Sequence, residues 1–153
     1  MARYIIYTDG SVSKNPGGAG GWGAVIIDTV AQTRKEIQGG HPRTTNNRME
    51  MSAAIHAISS TPEGSEIEIY TDSQYLKKAL TNGWLEKWKK NGWMTTAKTP
   101  VLNQDLWEEL DRIGQNRFIN FNWIRGHAGN ALNERCDYLA KDACQQYAKL
   151  NRN

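Results

Sequence analysis

Apolar residues change their period several times along the chain, and each change marks an element. Tyr4-Ile5-Ile6-Tyr7 is a β-rich run ended by Asp9-Gly10-Ser11, a turn signal. Asn15 to Gly21 is glycine-rich around Pro16 and reads as a loop. Trp22 to Ile27 predicts a second strand, and Lys35 to Gln38 a third that stops at the Gly39-Gly40 break. Asn46-Asn47 then offers helix N-cap chemistry, and Met51, Ala54, Ile55 and Ile58 follow at helical spacing up to Pro62-Glu63-Gly64. Glu66 to Tyr70 alternates polar and apolar as a strand does and ends in Thr71-Asp72-Ser73. Asp72 or Ser73 can cap a helix holding Tyr75, Leu76, Ala79 and Leu80. A further helix runs near Leu102 to Ile113, and Phe118, Phe121, Trp123 and Ile124 suggest the last long strand. Gly126-His127-Ala128-Gly129 reads as a loop and Asn133 to Ala148 as a terminal helix.

Strands come first as a group and then alternate with helices. That order predicts an α/β protein in which an antiparallel hairpin region joins parallel βαβ units, giving a mixed sheet with helices on its faces. Without repeats, low-complexity tracts or linkers, residues 1–153 read as one domain, long enough to bury a full core.

Composition narrows the class. An apolar fraction of 39%, a charged fraction of 23% and a mean hydropathy of −0.69 suit a soluble globular protein. No apolar run approaches the ~20 residues that cross a bilayer. The first acid, Asp9, comes too early for a signal-peptide core. The expectation is a cytoplasmic protein without membrane contact. Cys136 and Cys144, eight apart in one helix, are too far from each other for a disulfide and read as free thiols. Net charge is only +3, but the stretch from Lys77 to Lys98 holds six lysines and one acid, a local +5 that leaves −2 on the rest. A basic patch on a slightly acidic body suggests a localised polyanion contact.

Asp9 and Asp72 each follow a strand in a Thr-Asp-Gly or Thr-Asp-Ser setting. Parallel strands present their C-terminal ends together, where open α/β sheets bind ligands, so the two turns could converge. Carboxylates sharing a cleft repel one another, and a hard divalent cation with oxygen ligands resolves that conflict. Each acid also has an ordinary reading. Asp after a strand is commonly a cap, Glu50 in the first turn of its helix would favour the helix dipole, and Asp137, three residues after Glu134, could be a solvated surface acid. Spacing alone leaves both readings open. His41 before a proline and His56 within a helix read as structural or surface residues. His127, between glycines, could shuttle protons or be structural.

The motifs taken together resemble type I ribonuclease H. They are Tyr7-Thr8-Asp9-Gly10-Ser11 with Asn15-Pro16-Gly17, Thr44-Thr45-Asn46-Asn47-Arg48-Met49-Glu50, Thr71-Asp72-Ser73-Gln74-Tyr75, Gly126-His127-Ala128-Gly129 and Asn133-Glu134-Arg135-Cys136-Asp137. They occur in the family's order, cover most of the chain and look most like its bacterial branch. The resemblance implies a ribonuclease H-like fold, a five-stranded mixed sheet in order 3-2-1-4-5 flanked by helices. It implies an endonuclease that cuts the RNA strand of RNA–DNA hybrids with two Mg²⁺ ions, Mn²⁺ being a possible substitute. Asp9 would bridge the ions, Glu50, Asp72 and Asp137 would complete the ligand set, and the products would carry a 5′-phosphate and a 3′-hydroxyl. His127 aligns with a loop histidine that assists proton transfer or product departure.

The resemblance also implies the substrate contacts. Asn15, Asn46, Asn47 and Gln74 would read the RNA strand in the minor groove, where the 2′-hydroxyl separates RNA from DNA. Arg43, Thr45 and Asn103 match a pocket for a DNA phosphate. Trp84, Lys87, Trp88, Lys89 and Lys90 lie in a segment matching the family's basic protrusion, in which lysines neutralise phosphates and indoles pack on sugars or bases. Some of Trp84, Trp88 and Trp93 could instead pack the segment against the body. A monomer is expected. Asn130-Ala131-Leu132 departs from the proline common after the histidine loop. No separate N-terminal hybrid-binding domain is recognisable in the 153 residues, so the processivity such a domain lends is not expected. A catalytically dead hybrid-binding module would lack an acid, whereas all four are present. Another metal nuclease of the superfamily would not need the 2′-hydroxyl readers. A calcium-binding protein would need an Asp-x-Asp-x-Asp-Gly loop that the chain does not contain.

Overall fold

A computed structural model of the chain describes residues 3–125 and 130–151. Its elements run β1 (Arg3–Val12), β2 (Gly20–Asp28), β3 (Thr33–His41), α1 (Asn46–Ser59), β4 (Glu66–Thr71), α2 (Gln74–Thr81), α3 (Trp84–Lys90), α4 (Gln104–Gly114), β5 (Phe118–Trp123) and α5 (Ala131–Leu150). One five-stranded sheet has the order β3-β2-β1-β4-β5. The β1–β2 and β2–β3 pairs are antiparallel, and β1–β4 and β4–β5 are parallel. This is the mixed sheet and the strand order expected.

Alternation in the strands divides the core. Ile6, Ala24, Ile26, Ile67 and Ile69 point to one face of the sheet. There they meet Met51, Ala54, Ile55 and Ile58 of α1, the four positions whose spacing marked the helix, together with Leu76 of α2 and Trp107, Leu110 and Ile113 of α4. On the opposite face Val25 packs with Cys136 and Leu139 of α5, beside Tyr7 and Ile27. Both cysteines are free and buried, and their thiols donate to the carbonyls of Tyr7 and Ala19. Among the described residues no helix is long and apolar enough to cross a membrane.

Three boundaries differ from the sequence reading, the first two because of long-range pairing. Asp9-Gly10-Ser11 is not a turn. β1 continues to Val12 because β2 keeps pairing with it, Asp9 opposite Gly23 and Val12 opposite Gly20. Gly39 and Gly40 do not break β3, since Gly39 pairs with Trp22 and Gly40 with Gly21, and the indole of Trp22 fills the space a side chain at Gly39 would need. The cap of α1 is Thr45 rather than Asn46 or Asn47, its hydroxyl accepting from the Arg48 N–H at 3.2 Å.

Candidate active site

The parallel β1–β4 pairing ends at Tyr7 opposite Tyr70, so the two strands part there. Asp9 lies just beyond the parting on β1, and Asp72 directly follows β4. Ser73, not Asp72, caps α2, its hydroxyl accepting from the Leu76 N–H at 3.2 Å. Asp72 lines the cleft.

Glu50 reaches the same place from α1. It is the fifth residue of that helix, past the first turn, and it is buried, so a simple helix-dipole role does not describe it. Gly10 makes the approach possible: a Cβ there would lie 2.7 Å from the Glu50 backbone nitrogen. Gly23, paired with Asp9, does the same for α5, because a Cβ would meet the Leu139 Cβ at 2.5 Å and the Cys136 carbonyl at 2.8 Å. α5 can therefore sit close enough to bring Asp137 to the cleft. Asn130 caps α5 by accepting from the Leu132 and Asn133 N–H groups at 3.0 and 2.9 Å.

The outcome is a cleft of about 390 Å³ lined by all four acids with Asn46, Asn47 and Gln74. Carboxylate oxygens of Asp9, Glu50 and Asp72 lie within 4.8 Å of one another. Burial pushes the Asp9 carboxyl up to about 7, with Asp72 adding repulsion, against the hydrogen bonds from Glu50 and the Gly10 N–H, the latter at 2.9 Å. Burial likewise holds the Glu50 carboxyl well above the usual range, with the charges of Asp9 and Asp72 acting in the same direction. One Glu50 oxygen, Oε2, is buried without a hydrogen-bond partner. An all-oxygen donor set, mutual repulsion and a buried acceptor lacking a donor together fit a hard divalent cation.

The other expected residues fall into three groups. Asn15 is tied to the N-terminus of α1, its Oδ1 accepting from the Asn46 N–H at 3.2 Å. Thr45 and Asn103 are joined through Arg48, whose N–H is capped by Thr45 and whose Nη1 donates to Asn103 Oδ1 at 3.2 Å. Arg43 is exposed and shares a recess of about 230 Å³ with His41, Thr44, Arg48 and His56. In α3, Trp84 and Trp88 are half-buried against the main core, and Trp88 lies 5.4 Å from the Trp107 ring. Trp93, past its end, is also half-buried there. Lys89 is paired with Asp111 at 3.1 Å, while Lys87 and Lys90 are exposed. His127 lies outside the described residues. His41 accepts from the Arg43 N–H at 3.0 Å, and His56 stacks on Trp22 at 4.6 Å.

Sequence reasoning missed three contributors. Gly10 reads as part of a turn and of a family motif, with no sign of its packing role, and Gly23 carries no signal beyond being a glycine in a strand. Tyr75, read as an apolar helix position and as part of a family motif but given no role in the site, lines the cleft, and its hydroxyl accepts from Trp107 Nε1 at 3.0 Å and Asn103 Nδ2 at 3.2 Å.

A family profile described as RNase H matches residues 1–145. A ribonuclease H of Bradyrhizobium sp. (strain ORS 278) is 47% identical over 148 residues, covering 97% of this chain and 93% of that protein. One of Hahella chejuensis is 50% identical over 140 residues, covering 92% of each. Among solved structures, LC9-RNase H1, a type 1 RNase H with the type 2 active-site motif, superposes with a TM-score of 0.83 at 28% identity, covering 96% of this chain and 74% of that one. LC11-RNase H1 in complex with an RNA/DNA hybrid superposes with a TM-score of 0.69 at 26% identity, covering 94% and 97%.

Proposed function

The chain belongs to the RNase H family, and from that premise we propose that its acidic cleft hydrolyses the RNA strand of RNA–DNA hybrids, leaving a 5′-phosphate and a 3′-hydroxyl. The observation that carries this reading is the convergence of Asp9, Glu50, Asp72 and Asp137 on one cleft with three carboxylates within 4.8 Å. Asp9, central on β1, would bridge two Mg²⁺ ions, with Glu50, Asp72 and Asp137 completing the set and Mn²⁺ able to substitute. Bound there, the ions supply charge that lowers the pKa of the attacking water and stabilises the leaving 3′ oxygen.

The chain's own residues do the rest. The carboxylates would fix that charge in a preformed, partly buried position, so little reorganisation is needed as the pentacoordinate phosphorus develops. Asn46, Asn47 and Gln74 line the same cleft and present groups that both donate and accept, suited to 2′-hydroxyls. Thr45 and Ser73 take the capping duties of α1 and α2. Asn15, held by the Asn46 N–H, extends the row. Arg43, Thr45 and Asn103, the last two coupled by Arg48, would hold a DNA phosphate. Lys87 and Lys90 would meet the hybrid's backbone from α3. Lys89 and the inner faces of Trp84 and Trp88 brace the helix, leaving the exposed parts of those indoles for sugar contacts. His127 would assist proton transfer or product departure. One chain supplies all four acids, so a monomer suffices, and the cytoplasm would be its place of action.

The test is cleavage of end-labelled RNA–DNA, RNA–RNA and DNA–DNA duplexes with Mg²⁺ and with EDTA. Metal-dependent cutting of the hybrid's RNA strand alone is expected. Tight hybrid binding without cutting, or cutting of DNA, would overturn the reading.

A further inference from the structure

Asp137 lines the cleft but stands apart from the other three acids: the group with oxygens within 4.8 Å contains Asp9, Glu50 and Asp72 only, among the described residues. Its Oδ2 lies 3.0 Å from the Lys141 ammonium, one turn further along α5. An acid four residues before a lysine is the favourable order for such a pair. Arg135, the other cation near Asp137 on this helix, is committed elsewhere: it donates twice to Glu36 of β3, each at 2.8 Å, and its guanidinium lies over the Tyr138 ring at 4.9 Å. The Lys141 side chain is 59% exposed, so its flexible stem can swing into water without disturbing the core. Its ammonium also feels the negative charge of Asp9, although Asp137 acts on it more strongly.

We propose that Lys141 is a positioning residue that competes with divalent metal for Asp137, so that the fourth carboxylate is engaged only when metal displaces the ammonium group. The proposal rests on the reading of the cleft as a metal site. The Asp9–Glu50–Asp72 group is then a tighter site that forms first, and Asp137 completes a weaker one whose metal threshold Lys141 sets. An exposed ion pair of this kind corresponds to a shift of about two- to fivefold in the weaker binding constant. Because the competition is electrostatic and solvent-exposed, added salt reduces it.

The experiment is calorimetric titration of the substrate-free protein with Mn²⁺ at low ionic strength, a readout independent of cleavage. Lys141→Gln is expected to tighten the weaker class of Mn²⁺ sites about two- to fivefold and leave the tighter class unmoved, while Lys141→Arg keeps the wild-type isotherm. In an Asp137→Asn background, Lys141→Gln is expected to change nothing. Unchanged binding in Lys141→Gln overturns the proposal. So does equal tightening in the Asp137→Asn background, which would show a general charge effect in place of competition. A wild-type protein that binds no Mn²⁺ would overturn the metal reading of the cleft itself, and this proposal with it.

Discussion

The acidic cleft and the basic helix α3 are both dense in charge, yet they obey different physics. In the cleft two of the clustered carboxylates are buried, so repulsion acts through a poorly screened medium and the Asp9 carboxyl is driven up to about 7. In α3 no residue is fully buried, Lys87 and Lys90 project into water, and Lys89 is matched by Asp111. The cleft therefore holds electrostatic stress that a cation would relieve, and β1, α1, the end of β4 and α5 all contribute to it. α3 holds little stress. Its indoles anchor it while its free lysines stay hydrated. Changes in the cleft should act on chemistry and folding together, and changes in α3 on binding alone.

The largest expected effect breaks the cleft. Asp9→Asn should lower single-turnover cleavage about 1,000-fold or more, equivalent to about 4 kcal/mol of transition-state stabilisation. The same variant should melt at a higher temperature than wild type in EDTA, because a repelling buried charge is gone. A variant that keeps its activity would erase the distinction between the two regions.

Next is the pH dependence of metal-free stability. Asp9 has a folded-state pKa of about 7, raised from 3.8. Its contribution is therefore fully present below pH ~4 and is lost as pH rises through ~7. Denaturant melts in EDTA should show stability falling on the order of a few kcal/mol across that window. Mg²⁺ should restore it at pH 8, and Asp9→Asn should flatten the slope. A flat wild-type profile would show that the cleft is not under stress.

Gly10→Ala tests the packing that creates the stress. The added methyl would meet the backbone of Glu50 at 2.7 Å, so α1 must shift. A loss of about 1–3 kcal/mol in urea denaturation is expected, with weakened Mn²⁺ binding. The smallest effect belongs to α3. Lys87→Ala with Lys90→Ala should raise KM several-fold with kcat little changed, and reduce the slope of log KM against log salt by about 2. Lys89→Ala alone should leave that slope unaltered, since its charge is already paired.

Much of this was legible in advance. The helical spacing of Met51, Ala54, Ile55 and Ile58 located α1, the alternation of Glu66 to Tyr70 located β4, and two Thr-Asp junctions after strands pointed to one end of a sheet. Legibility stopped where a residue's role depends on a partner far along the chain. Asp9-Gly10-Ser11 has turn chemistry, yet β2 pairing carries the strand through it. Asn46 and Asp72 are good caps by type, but Thr45 and Ser73 hold those positions. Nothing local distinguishes Trp88, packed beside Trp107, from an indole free to stack on a substrate.

By itself the sequence determined the periodicity of the elements, the mixed character of the sheet, the basic stretch and the chemical types available at each motif, because these depend on neighbours a few residues apart. The tertiary structure alone decided that β1 and β4 part beside Asp9, that Gly10 and Gly23 admit α1 and α5 close to the sheet, and that Asp137 meets Lys141 before it meets the other acids. Those outcomes set distances and burial, and an acid's charge state depends on both. A carboxylate has the same intrinsic acidity anywhere in a chain; only packing brings three of them within 4.8 Å and buries two of them.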